Sequence, residues 1–106
     1  MAGLREVFEG LKDRAAAPPA MKGVTAVYQF VLDGEEGGNY LVRFTDGAGV
    51  VDEGRDTAPD VTISMTAADF RDLAAGRLNS TTAFLSGRLK VEGDIGLAMK
   101  LQSILG

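Results

Sequence analysis

Cysteine and histidine are both missing from the 106 residues. Without cysteine there is no disulfide, no thiolate nucleophile and no thiolate-held zinc or iron–sulfur cluster. Without histidine, Ser-His-Asp and Cys-His catalysis are excluded, together with imidazole acid–base chemistry and most transition-metal sites. A basic surplus is missing as well. Eleven Lys and Arg face 15 Asp and Glu, a net charge of −4, which is the wrong sign for a nucleic-acid-binding domain. No apolar run approaches the ~18–20 residues that cross a bilayer. The opening Met1-Ala2-Gly3-Leu4-Arg5-Glu6 has no basic flank before an apolar stretch and does not read as a signal peptide. The terminal Ser103-Ile104-Leu105-Gly106 is not a Ser-Lys-Leu type of peroxisomal address. These absences predict a soluble cytoplasmic chain with no metal, no cofactor and no nucleic-acid partner.

What is present is ordinary for a globular protein: 45% apolar and 25% charged residues. The length predicts one domain over residues 1–106. Charge is uneven. Residues 1–53 hold 5 basic and 9 acidic side chains, whereas residues 54–106 hold 6 of each.

Leu4, Val7, Phe8, Leu11 and Ala15 fall on one helical face, which predicts an amphipathic helix over 3–15 that Pro18-Pro19 cannot continue. Val24 to Asp33 reads as a strand with Val24, Ala26, Tyr28, Phe30 and Leu32 on one side. Glycine-rich turns at 34–38 and 46–49 separate it from strands at 39–45 and 50–53, which predicts an antiparallel meander. Gly54 to Pro59 reads as a polar loop. Val61, Ile63 and Met65 alternate with Thr62 and Ser64 in a fourth strand. Thr66 is the expected N-cap of a helix over 67–75, stopped by Gly76. A short helix at 79–87, a strand around Leu89 and Val91, and a helix over 95–105 capped by Asp94 complete the chain. The expected fold is α+β: one mixed five-stranded sheet covered on one side by helices.

The last helix carries the information. At ~100° per residue, Ser103, Gly96 and Lys100 occupy a polar arc of roughly 60°, while the apolar arc spans roughly 220°. A helix resting on a sheet needs a stripe of only ~100° or somewhat more. The surplus must face another helix, another chain or a ligand. Gln102 sits inside the apolar arc, and an amide there needs a hydrogen-bond partner. Periodicity leaves two readings open: a buried helix with Gln102 bonded to backbone, or a wall facing a lipid or a partner.

The stretches Pro59 to Met65, Asp69-Phe70, Gly76-Arg77-Leu78-Asn79, Ala83 to Asp94 and Gly96 to Gln102 closely resemble the sterol carrier protein-2 family. The N-terminal half adds the aromatic-bearing hairpin and the Asp46-Gly47 turn, with Tyr40 where that family often has tryptophan. The resemblance implies an apolar tunnel between a five-stranded sheet and its helices, with the C-terminal helix as wall or lid. It also implies non-catalytic binding and transfer of fatty acids, fatty acyl-CoA, sterols or phospholipids.

On that reading the candidate tunnel walls are Met65, Phe70, Leu73, Leu78, Phe84, Leu97, Met99, Leu101, Ile104 and Leu105, each of them also an ordinary core residue by its chemistry. Met99, a flexible thioether, suits variable ligands. Gln102 is placed to meet a lipid hydroxyl or carboxylate, or backbone. Arg77, Arg88, Lys90 and Lys100 are the candidates for anionic head groups or an acidic membrane surface. Asp33, Glu35 and Glu36 form an acidic turn without EF-hand spacing, so no calcium site is expected. Tyr28, Tyr40, Asp46 and Asp60 are the candidate acid–base groups, and no spacing pairs them, so no catalysis is expected. The rival expectation is a module that dimerises or docks on a lipid- or quinone-metabolising partner through the wide apolar arc.

Overall fold

The computed structural model describes residues 4–35 and 37–105, with their side chains except those of Arg14, Ala20 and residues 102–105. Helix α1 (Leu4–Ala15) is followed by a 3-10 turn (Pro19–Met21), strands β1 (Ala26–Asp33), β2 (Gly38–Thr45), β3 (Ala48–Glu53) and β4 (Val61–Thr66), helices α2 (Ala67–Ala74) and α3 (Ser80–Leu85), strand β5 (Lys90–Gly93) and helix α4 (Ile95–Leu105). The five strands form one sheet in the order β3-β2-β1-β4-β5. The β1–β4 pair is parallel and the rest are antiparallel. The sheet is mixed and five-stranded, as the alternation predicts.

Period-two alternation decides which side the core takes. In β1 and β2 the even-numbered Ala26, Tyr28, Phe30, Leu32, Tyr40, Val42 and Phe44 are buried, and Val61, Ile63 and Met65 of β4 continue the same face. Leu4, Phe8, Leu11 and Ala15 close over it from α1. A side chain at Gly49 of β3 would strike the Ala15 carbonyl, so only glycine lets the end of α1 lie this close to the edge strand. Pro18-Pro19 does end α1, and it also starts the 3-10 turn, in which Met21 N–H donates to the Pro18 carbonyl at 3.0 Å. That turn drops Met21 fully into the core.

The loop over 54–59 is more than a polar connection. The chain must pass from edge strand β3 to the far side of β1, and it does so across the outer sheet face. Gln29 points to that face and is nonetheless buried. Its Nε2 donates to the carbonyls of Phe30 (3.3 Å), Tyr40 (3.1 Å) and Gly54 (3.0 Å), and its Oε1 accepts from Asp56 N–H at 2.8 Å. Arg43 holds the same loop through Asp56 at 3.6 Å. Asp60 ends the crossing by accepting from Val27 N–H at 2.7 Å.

Candidate functional site

Each helix start near β4 and β5 is fixed by a side-chain cap. Thr66 Oγ1 accepts from Asp69 N–H at 3.1 Å and starts α2. Asn79 Oδ1 accepts from Thr81 and Thr82 N–H and starts α3. Asp94 Oδ1 accepts from Leu97 N–H at 3.1 Å and starts α4. A second tie reaches α4 from the sheet: the buried Tyr28 hydroxyl donates to the Leu97 carbonyl at 2.7 Å. Burial pushes the Tyr28 phenol up to about 12, and the carboxylates of Asp94 and Asp60 push in the same direction.

These elements enclose a cavity of about 260 Å³. Ile63 of β4 with Leu89 and Val91 at β5 form its floor, Leu73 comes from α2, Ser80, Thr81 and Phe84 from α3, and Ile95, Ala98, Met99 and Leu101 from α4. Among the described residues, the polar members of this lining are two hydroxyl-bearing residues, Ser80 and Thr81. Three of the large apolar ones stand well out to solvent: Phe84 is 51% exposed, Ile95 52% and Met99 67%. Exposed Phe, Ile and Met side by side at an apolar opening are unusual for a surface that meets only water.

Of the expected tunnel walls, Leu73, Phe84, Met99 and Leu101 come together here. Met65 and Phe70 instead belong to the packed core: Phe70 stacks on Phe8 at 5.0 Å and meets Phe30 edge-on at 5.5 Å. Leu78 and Leu97 are partly buried against that core and do not line the cavity. The side chains of Gln102, Ile104 and Leu105 lie outside the described residues. Ile63, Leu89, Val91, Ser80, Thr81, Ile95 and Ala98 line the cavity without being among the expected walls, although the alternation of Ile63, Leu89 and Val91 on two adjacent strands marks them as facing one way.

Two of the four expected head-group residues are paired with carboxylates of α2. Arg77 reaches Asp72 at 3.1 Å. Arg88 grips both oxygens of Asp69, at 2.6 and 3.3 Å. That hydrogen-bonded guanidinium holds the Asp69 carboxyl below its usual range, so the pair is fully charged at neutral pH. Lys90 pairs in register with Ser64 and so points to the outer sheet face, away from the cavity. Lys100 is exposed on α4. Asp33 and Glu35 are exposed and Glu36 lies outside the described residues, and among the described residues no group of three metal-ligating side chains forms. No helix among the described residues is long and apolar enough to cross a membrane.

The family model described as the SCP-2 sterol transfer family matches residues 4–106. The chain belongs to the SCP-2 sterol transfer family. It is 43% identical over 104 residues to hydroxysteroid dehydrogenase-like protein 2 of Xenopus laevis, a match that covers 97% of this chain and 25% of that protein. The chain thus spans about a quarter of the length of the curated relatives it matches. The solution structure of palmitated SCP2L2 from Aedes aegypti superimposes with a TM-score of 0.82 at 25% identity, covering 98% of this chain and 95% of that one. The apo form of sterol carrier protein 2 from Yarrowia lipolytica shares the fold, with a TM-score of 0.71 at 23% identity over 93% of this chain and 86% of that one. In this member of the family α2, α3 and α4 contribute the helical side of the cavity over β4 and β5.

Proposed function

We propose that this SCP-2 chain binds and hands on a lipid with one apolar chain, held between β4–β5 and helices α2–α4 and released without chemical change. The observation that carries the reading is the cavity of about 260 Å³ with an almost wholly apolar wall and Phe84, Ile95 and Met99 open to solvent at its margin. Burial of such a chain gains about 0.8 kcal/mol per CH₂, so a ~12-carbon tail gains ~10 kcal/mol gross before the costs of ordering. Ser80 and Thr81 supply the polar lining, which puts the ligand's polar end at α3. The palmitated Aedes aegypti protein supports an acyl chain as the ligand class. For a fatty acyl-CoA, only the acyl part would enter and the nucleotide would stand outside. No chemical step is assigned to the chain, because among the described residues the lining offers no nucleophile beyond two hydroxyls and no base to activate them.

The test is displacement of bound cis-parinaric acid by saturated fatty acids of increasing length, with native mass spectrometry of gently purified protein. Affinity should rise about fourfold per CH₂ until the cavity is filled, since ~0.8 kcal/mol is that factor at room temperature. Absence of saturable binding by any fatty acid, acyl-CoA or sterol removes the reading. A second reading draws on the hydroxysteroid dehydrogenase-like relatives, of which the chain matches only a quarter. In it the cavity presents lipid to a catalytic partner, or its apolar margin pairs with a second copy. Sizing with and without fatty acid separates these, because a dimer through the margin should fall apart when the cavity is filled.

A further inference from the structure

The two helical walls of the cavity are attached in opposite ways. Helix α4 is tied to the sheet interior: Tyr28 donates to Leu97 O at 2.7 Å, and Leu101 is fully buried. Helix α3 buries only Ala83 among its own residues and turns Phe84 and Leu85 outward. The segment that carries it runs from Gly76 to Arg88. Gly76 and Gly87 both adopt φ +78 with open space around them. Beside each glycine stands an arginine, and both arginines reach carboxylates of α2: Arg77 to Asp72 and Arg88 to Asp69. Those carboxylates are one helical turn apart, so α2 acts as a bar to which the strap is buckled at both ends.

We infer that residues 76–88 are the gate through which ligand enters and leaves the cavity, with the Arg77–Asp72 and Arg88–Asp69 pairs as its two fastenings. The inference rests on the lipid-binding reading and adds its route. The C-terminal helix, expected from the family resemblance as a wall or lid, is then a fixed wall. Lifting α3 moves Ser80, Thr81 and Phe84 off the cavity while leaving the floor, Ile63 and Val91, in the sheet. Ion pairs near the surface suit such a role, because each is worth little and is remade at small cost; of their four side chains only Asp69, 17% exposed, is largely covered.

Stopped-flow uptake of cis-parinaric acid, and its release into excess palmitate, tests the gate. In the Arg77→Gln/Arg88→Gln double variant both rates should rise about fivefold, the scale of two ion pairs near the surface, with equilibrium affinity unchanged. Tyr28→Phe, which frees α4 instead, should leave both rates unchanged. Arg88→Lys keeps the charge without the two-pronged grip and should give a smaller rise in both. Unchanged rates in the double variant overturn the gate. So does faster release matched by an equal loss of affinity, which would make the pairs part of the bound pocket, and so does an equal acceleration by Tyr28→Phe. Failure of the unaltered protein to bind cis-parinaric acid at all would instead remove the lipid reading beneath it.

Discussion

Over β1 and β2 the helical layer meets the sheet ring on ring. Phe8 of α1 stacks on Tyr40 at 3.9 Å and on Phe70 at 5.0 Å, with Phe30 edge-on to both phenylalanines at 5.8 and 5.5 Å. Over β4 and β5 the same layer leaves a cavity of about 260 Å³ bounded by aliphatic side chains, two hydroxyl-bearing residues, one methionine and one phenylalanine. The two regions lie on one face of one sheet and share the same alternation of apolar and polar residues. They differ in how much ring volume the helices bring. Four aromatics from helix and strand, Phe8, Phe30, Tyr40 and Phe70, fill the first region. The second receives only Phe84, which is half exposed, so the space stays open. A domain with a total stability of ~5–15 kcal/mol can keep an open end only if the closed end holds the fold.

The strongest way to break this division is Phe70→Ala. It removes the ring between Phe8 and Phe30, and a buried Phe→Ala change costs about 3–5 kcal/mol. Denaturant unfolding should show that loss, and fatty-acid affinity at temperatures where the variant is folded should be nearly unchanged. A large fall in affinity with a small fall in stability would mean that the ring cluster belongs to the cavity.

The division was only half legible in the sequence. Strand alternation, the capping residues Thr66 and Asp94 and the turn glycines located every main element, because each rests on chemistry within a few residues. The wide apolar arc of 95–105 also pointed to a wall, and Ile95, Ala98, Met99 and Leu101 of that helix line the cavity. What could not be read was which apolar residues fill space and which bound it. Phe70 and Leu73 sit one turn apart on α2 and look alike in the pattern, yet Phe70 meets α1 and Leu73 meets the cavity. That choice depends on where α1 lies, about 60 residues earlier in the chain. The buried amide of the described residues is not legible either: Gln29 makes an amide network on a sheet face that alternation marks as outward. Only the crossing loop makes that position interior, and no local pattern announces it.

The tie between sheet and α4 gives a middle-sized effect and sharpens the comparison. Tyr28→Phe should cost about 1 kcal/mol, the net value of one hydrogen bond, with fatty-acid exchange unaltered. The same group sets an alkaline limit. The folded state holds the phenol proton up to about 12, while the unfolded chain releases it near the ordinary tyrosine value of 10.0. Its contribution is therefore complete below about pH 10 and is lost as pH rises through the folded value. Tyrosinate absorbance followed against pH should show Tyr28 titrating late, together with loss of the α4 helix. Titration at the ordinary tyrosine range with the fold intact would remove the tie.

The smallest expected effect on stability, and the one that separates the two regions most cleanly, comes from Met99→Ala. Met99 borders the cavity and is 67% exposed, so the folded protein gains little from it in the absence of ligand. A surface change of this kind stays within about 0.5 kcal/mol. With an acyl chain in place, the thioether loses contact with water and gains contact with the chain. Removing it forfeits about one methylene's worth of burial or somewhat more, so fatty-acid affinity should fall about fourfold. The signature is the reverse of Phe70→Ala: stability held, binding weakened. The check is a melting temperature and a fatty-acid titration on the same preparation. If Met99→Ala lowers the melting temperature as far as Phe70→Ala does, α4 is packed on its outer side and the open end is closed. If binding is unchanged while stability holds, the ligand lies elsewhere on the molecule, because a chain inside this cavity must pass against that side chain.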